Sequence, residues 1–464
     1  MLLSFLAGVN TLLFAVAALA IITVFIILFF LKGKRLHFIF AALLLFTLII
    51  ATLVNMSVAN RLSYLDGKNE RITAVITQPT TEHGTGYSYT ARLETVGESR
   101  VNLANIKVNM YEDALKPGDL ITARVDLYEH DNKNSFYADN IYIHCNVEKI
   151  ISVESQHSRL RYKIFRLQKY TKDTVSGYLD GDIGQLIIAV ITGDRSGISD
   201  ETYSLVKKSG VAHMIVVSGM HLSIICSAVM WLLRRTLPNR FAQCGAMLLI
   251  TFFIILFCGF TKSVLRAGIT YTILSLAPLL KRDRDSLSAL SLTVIVVLHI
   301  SPFAFYSISF LLTLSATFGI LVLAPFLSER LNKVLHTDKV NLLKNTVDII
   351  CVTVAANIMT LPIVLYVYEW VSTVSLLTNI LINYAVSALL VLGIVAVLIG
   401  KMDFIAYPCF FITGLLSEYA LWVIKTLGSL PFATVNFSGK AMAVVVCMLY
   451  LIIFLYFKLL KRNN

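Results

Sequence analysis

Charge is what this chain has least of. Only 15% of its 464 residues are Asp, Glu, Lys or Arg, where a soluble domain carries about a quarter. The first 31 residues, MLLSFLAGVNTLLFAVAALAIITVFIILFFL, contain none. Without a basic start they do not read as a cleavable signal peptide, so a retained span is expected. The seven cysteines, Cys145, Cys226, Cys244, Cys258, Cys351, Cys409 and Cys447, form no CxxC pair, and six lie in apolar runs. Neither a zinc site nor a disulfide framework is indicated, and no cofactor is expected. A GxxxxGK[ST] phosphate loop is also missing, which leaves no signature of a nucleotide-driven motor.

What is present is hydrophobic side chains, 57% of the total, collected into long runs. Each run of about 18 or more can cross a hydrocarbon core of roughly 30 Å as a helix. The runs lack period-2 alternation, so a lipid-facing barrel is excluded and helices remain. The expected spans are 5–31, 36–57, 212–233, 241–261, 264–280, 287–305, 307–327, 346–367, 373–399, 404–427 and 441–458. The fold expected is therefore a polytopic α-helical membrane protein of about 11 transmembrane helices. Seventeen Lys and Arg fall on alternate turns, at KGKR (32–35), RRTLPNR (234–240), KRDRD (281–285), 328–344, Lys401 and the tail, against four on the opposite short loops. The positive-inside rule then puts the N-terminus outside and the C-terminus in the cytoplasm of a multi-pass protein of the cell membrane. Most of the formal net charge of +12 is accounted for by orientation rather than by a nucleic-acid face.

Between the apolar zones lies a polar one. ITAVITQP (72–79), YSYTARLETV (87–96), VNLANIKVNMY (101–111), DLITARVDLYE (119–129) and YADNIYIHCNVEKI (137–150) are rich in Ile, Val, Thr and Tyr and are divided by Gly, Asn, Asp and Pro turns. Five such strands predict an extracytoplasmic OB-like β-barrel. From 60 to 150 ten basic residues face thirteen acidic ones, a balance that favours a spacer or docking barrel over a nucleic-acid groove. In 157–179, Leu160, Ile164, Leu167, Thr171, Val175 and Leu179 recur at helical steps among basic residues, which predicts an amphipathic helix lying on membrane lipid. The expected divisions are an N-terminal transmembrane pair (1–57), the barrel (58–152), the interfacial helix (153–182) and a transmembrane domain (183–464).

The polar groups inside the last division carry the chemistry. IGQLIIAVITGD (183–194) is too short to span and is expected as a surface or re-entrant helix. GDRSG (193–197) reads as a turn, Ser199 as the cap of a helix over SDETYSLVKKSG, and Gly210 as its end. The next run, VAHMIVVSGMHLSI, holds His213, Ser218, Gly219 and His221. Ser218 and His221 are three apart and share a helix face, and Gly219 permits close approach. Polar groups in a span find partners or line a wet path. Three readings follow: a small-polar packing seam, an interrupted helix lining a hydrophilic path, and an intramembrane serine protease using Ser218 with a histidine. Arg266, about one turn into GFTKSVLRAGITY, is costly in lipid unless it pairs or faces water. Topology sets it and Lys262 at the outer level of Asp194, Arg195 and His213.

GDRSGIS (193–199), GVAHMIVVSGMHLSI (210–224) and SVLRAG (263–268) together resemble the signature of the ComEC family of competence proteins, channels through which bacteria import one DNA strand. The resemblance extends over KPGDL (116–120), FLLTLSATFGIL (310–321), ANIMTLPIVLY (356–366) and IKTLGSLP (424–431). It implies a membrane channel for single-stranded DNA in natural transformation, not an enzyme. By position, Asp194, Arg195, His213, Ser218, Gly219, His221 and Arg266 fall on the family's motifs and, with Lys262, are the expected pore and DNA-path residues. Many family members also carry a metallo-β-lactamase-like domain with a His-x-His-x-Asp-His cluster, and no histidines here are so spaced. The resemblance thus implies an outer-face DNA receptor, a cytosolic ATP-driven DNA translocase and a separately encoded nuclease as partners. A small-solute transporter is the other membrane alternative, but no repeated polar pattern links the two halves.

Overall fold

A computed structural model describes residues 62–83, 86–97, 99–100, 105–110, 115–130, 136–137, 140–155, 160–215, 217, 219–237, 239–259, 262–277, 279, 285–335 and 341–437, with isolated positions from 48 to 60. The expected spans 5–31 and 441–458 lie outside the described residues, as does almost all of 36–57. The chain divides into two compact units, Met1–Leu115 with Asp119–Glu154 and Ile295–Ser307, and Lys116–Gly118 with Ser155–Val294 and Ile308–Asn464.

The first unit is a β-barrel. Its strands are β1 (Asn69–His83), β2 (Gly86–Val96), β3 (Ser99–Arg100), β4 (Asn105–Met110), β5 (Leu120–Tyr128) and β6 (Ile141–Glu154). They are ordered β1-β5-β6-β4-β2-β3, and an additional β1–β2 pairing closes five of them on themselves. The pairs are antiparallel except β4 with β6, an arrangement consistent with an OB barrel. Alternation explains the core: Ile106, Val108 and Met110 of β4 point in while Asn105, Lys107 and Asn109 point out. Ile72, Ile76, Leu93, Ile121 and Tyr142 complete the interior, and Phe303 joins it from the 295–307 segment. The segment 301–305, expected as the end of a span, is therefore not membrane helix.

One buried histidine makes this barrel sensitive to acid. His144 of β6 is 4% exposed, with the Phe136 ring edge-on at 4.4 Å and the His130 ring at 5.1 Å. Burial, then His130 and Lys107, push its pKa down to about 4 from 6.5. Between those values the unfolded chain binds the extra proton, so stability falls as pH drops from about 6.5 toward 4, by up to about 3 kcal/mol. Barrel protease resistance should fall across that window in the native chain and be flatter in His144→Gln; equal slopes would refute the assignment.

The second unit is helical. Its elements are α1 (Leu160–Tyr178), α2 (Gly181–Thr192), α3 (Asp200–Lys208), α4 (Ala212–Ile215), α5 (Gly219–Thr236), α6 (Arg240–Phe257), α7 (Lys262–Leu276) and α8 (Ser286–Ile300), whose last turns group with the barrel. Then follow α9 (Ile308–Phe318), a π turn (Gly319–Leu323), α10 (Ala324–Leu335), α11 (Asn341–Tyr368), α12 (Ser375–Ile399) and α13 (Asp403–Gly428). A short pair, β7 (Trp370–Ser372) with β8 (Thr434–Asn436), links the ends of α11 and α13. Among the described residues, four helices are long and apolar enough to cross a membrane: Ile308–Leu335, Leu343–Tyr368, Ser375–Ile399 and Asp403–Gly428. Their polarity is inverted relative to a soluble protein. On α13, Phe404 is 93% exposed and Trp422 63%, while Thr413 and Ser417 are fully buried. This is the arrangement lipid demands, and the protein is a membrane protein.

Two expectations change here. Of the two alternatives for α2, surface or re-entrant, the surface one falls: Leu186, Ile187, Ile188, Ala189 and Val190 are all buried in the core with residues of α12 and α13. A helix apolar all round has no face for water and belongs in an interior. Helix α1 has Leu160 and Leu167 exposed, but Thr171 and Val175 are buried. Its Gln168 donates to the Phe257 carbonyl and its Tyr178 to the Gly400 carbonyl, so from Gln168 onward it packs on the bundle as well as presenting an exposed apolar start.

Candidate functional site

The turn after α2 is fixed by local chemistry. Gly193 adopts φ 83° and its N–H closes on the Ala189 carbonyl, a conformation that favours glycine. Asp194 accepts the Ser196 N–H at 2.9 Å and pairs with Lys172 of α1. Burial alone would raise its pKa, yet the hydrogen bonds from Lys172 and Ser196 outweigh it and hold the carboxyl below its ordinary value. Arg195 donates to the Tyr203 hydroxyl and stands 4.9 Å over that ring. Ser199 caps α3, accepting from the Thr202 N–H and donating twice to Asp182 of α2. Gly210 at φ 77° ends it, with N–H bonds from Gly210 to Lys207 and from Val211 to Val206, a Schellman closure.

The run expected to cross as one helix over 212–233 is broken. One turn of helix, α4, stops at Ile215, Val217 is buried and non-helical, and α5 starts at Gly219. The Gly193 turn lies against this break, where a Cβ would come within 3.2 Å of Val217 Cγ2. His213 is exposed and hydrogen-bonded to the Gly210 backbone. His221 is 1% exposed and bonds to the Met214 backbone. That bond ties α5 back to α4, and so satisfies a backbone group freed by the interruption. Ser218 lies outside the described residues, so the serine–histidine alternative has no described geometry.

Helix α7 supplies the opposing wall. A Cβ at Gly219 would lie 3.3 Å from Arg266 Nη2 and 3.4 Å from the Ala267 Cβ. The structure thus places the Arg266 guanidinium against the first residue of α5. Further on, the Tyr271 hydroxyl donates to the Ser223 carbonyl. Gly219 with Arg266 and Ser223 with Tyr271 match in the same sense, so α5 and α7 run side by side in one direction, their N-termini at the same end. Arg266 is 6% exposed, and its Nε has no hydrogen-bond partner among the described residues. The ion pairs among the described residues are Lys172–Asp194 and Lys333–Glu329, neither of which involves it.

Some polar neighbours escaped the sequence reading. Ser263 of α7 is buried with its Oγ unpartnered among the described residues. Thr270 bonds to the Arg266 carbonyl and to Thr293 of α8. Their spacing, Ser263, Arg266, Thr270, was the available signal, a polar seam at helical steps in SVLRAGITYT. The side chain of Lys262 lies outside the described ones.

These features define a polytopic membrane protein whose helical unit holds a broken helix and a buried cation, with a closed β-barrel in the same chain. The competence protein family model matches residues 190–462, more than half of the chain, and the chain belongs to that family, the ComEC competence proteins. Among curated proteins it is similar to ComE operon protein 3 of Bacillus subtilis (strain 168), 25% identical over 251 residues. That stretch covers 54% of this chain and 31% of the relative, so the matched region spans about a third of the relative's length. No solved structure matches.

Proposed function

We propose that this protein acts in DNA uptake during competence, as the conduit that passes a single DNA strand across the cell membrane. The observation that carries the reading is Arg266: a buried guanidinium without a described carboxylate partner, set beside a break in a membrane helix. An arginine at membrane depth is costly unless it pairs or faces water, and interrupted helices are how membrane proteins present backbone ends to ions and substrates. A hydrophilic path for a polyanion supplies what this cation lacks. In this reading Gly219, His221 and Arg266 stand at the constriction, with Ser218 and Lys262 as expected neighbours. Asp194, Arg195 and His213 belong to the entrance, with Asp194 and Arg195 holding its turn in shape. The N-terminus and barrel face outward and the C-terminus inward.

Energetics requires partners. A strand entering against a negative-inside potential loses about 2.3 kcal/mol per charge per 100 mV, and this sequence carries no phosphate-loop motif. A cytosolic ATP-driven translocase pulls, an outer-face receptor delivers duplex, and a nuclease removes the complementary strand. The test is uptake of labelled DNA in a transformable host deleted for this chain and complemented with it. Label should remain nuclease-sensitive at the surface of the deletion strain and become protected on complementation. Equal protection in both strains would sink the proposal.

A further inference from the structure

The convergence of Arg266 on Gly219 has a chemical meaning more specific than a wet path. The first N–H groups of a helix have no intrahelical partner and, with the helix dipole, favour an anion. Helix α5 begins at Gly219, inside the bundle, and runs 18 residues, long enough for its aligned dipoles to act. A residue without a side chain stands where the guanidinium arrives: a Cβ there would sit 3.3 Å from Arg266 Nη2. The guanidinium is buried, and among the described residues its Nε lacks a hydrogen-bond partner and no carboxylate pairs with it. One turn earlier on α7, Ser263 also buries a hydroxyl without a described partner. Because α5 and α7 run in the same direction, both helices turn their positive ends the same way. Backbone donors of this kind cradle phosphate, and arginine's planar fork matches a phosphate's oxygens.

We infer that the first turn of α5 and the Arg266 guanidinium form a one-phosphate site, occupied in turn by successive phosphodiesters of the strand being imported. The inference rests on the DNA-conduit reading above for its ligand, but not for its geometry. Such a site makes translocation stepwise and sequence-blind, since it touches the backbone and no base. It also explains the glycine: a side chain at 219 would stand between the helix end and the guanidinium. His221 holds α4 to α5 and so fixes the position of the helix end.

The test uses the full chain in phosphatidylcholine nanodiscs and in detergent, with two probes: a fluorescent oligothymidylate and inorganic phosphate. Arg266→Gln should weaken oligonucleotide binding at least about 10-fold and reduce the slope of log affinity against log salt by about 0.7, the loss of one single-strand phosphate contact. Arg266→Lys should recover part of the affinity, because the charge returns without the fork. Gly219→Val, which leaves Arg266 in place, should mimic Arg266→Gln, and so controls for a variant that fails to fold. Unchanged affinity and salt slope in both Arg266→Gln and Gly219→Val overturn the site while leaving the conduit reading intact. Arg266-dependent binding of inorganic phosphate with no oligonucleotide binding upholds the anion site and removes the DNA reading. Arg266-dependent phosphate binding that appears only in lipid-free detergent assigns the site to a lipid headgroup and overturns it as a strand site.

Discussion

Charge reversal at Arg266 should stop strand entry while leaving DNA bound at the cell surface. Two unit charges 4 Å apart interact by about 4 kcal/mol at an effective dielectric of about 20. Arg266→Glu converts that attraction for a passing phosphate into a repulsion of similar size beside the α5 terminus. Since each 1.4 kcal/mol is a factor of ten, even part of this difference lowers entry at least about 100-fold. The carboxylate would also lie against the helix N-terminus, which favours a negative charge. The variant therefore keeps a local partner, and the fold tolerates it better than the transport does. The measurement is nuclease-protected label per cell, normalised to surface-bound label and to the amount of protein in the membrane fraction. Entry within a few-fold of the native chain would show that the strand does not pass Arg266.

How much of this could be read in advance follows from which forces are local. Lipid leaves a segment little choice, so apolar length alone located α9 with α10, α11, α12 and α13, each close to its expected span. β-branched and aromatic residues between Gly, Asn and Pro turns located the barrel strands in the same way, although β6 runs on to Glu154. The caps of α3 were also local, with Ser199 and Gly210 named from the sequence and found as cap and terminator. What failed depended on partners distant in the chain. Nothing in IGQLIIAVIT shows that α12 and α13 cover it, and length alone left it as a surface or re-entrant helix. The end of the expected span at 305 failed because Phe303 is used by the barrel core. At the site, topology put Arg266 at the outer level of Asp194, Arg195 and His213; its approach to Gly219, and the lack of a described carboxylate beside it, are properties of the packed structure. The break in the 212–233 run was weakly legible, since glycine and serine permit an interruption without requiring one. The β7–β8 pair had no signal at all, being two three-residue strands from opposite ends of the last helices.

A large stability effect is expected at Gly319, in a segment that composition marks only as apolar. Gly319 opens the π turn between α9 and α10, and a Cβ there would lie 2.6 Å from the Ala355 carbonyl oxygen and 2.8 Å from Met359 Cγ on α11. The first of these is backbone, so neither rotamer change nor side-chain flexibility relieves it; the two helices must separate. In lipid, apolar surface alone does not hold helices together, and close packing through small residues does much of it. Separating α11 from the π turn therefore loses attraction that no hydrophobic gain replaces. Overpacking typically costs 1–3 kcal/mol, so Gly319→Ala should destabilise by about 2 kcal/mol, and Gly319→Leu should prevent accumulation of folded protein. The control is Gly245→Ala in α6, where no atom of the described residues lies within 4 Å of the added Cβ. There alanine's better helix propensity should make the change neutral or stabilising by up to about 1 kcal/mol. Thermal unfolding of the three proteins in one detergent decides between them. If Gly319→Ala melts with Gly245→Ala, the helices do not approach at Gly319. If it melts well below, the glycine holds α11 against a turn that breaks helical regularity within the membrane, and π turns recur where membrane and soluble proteins place their functional groups.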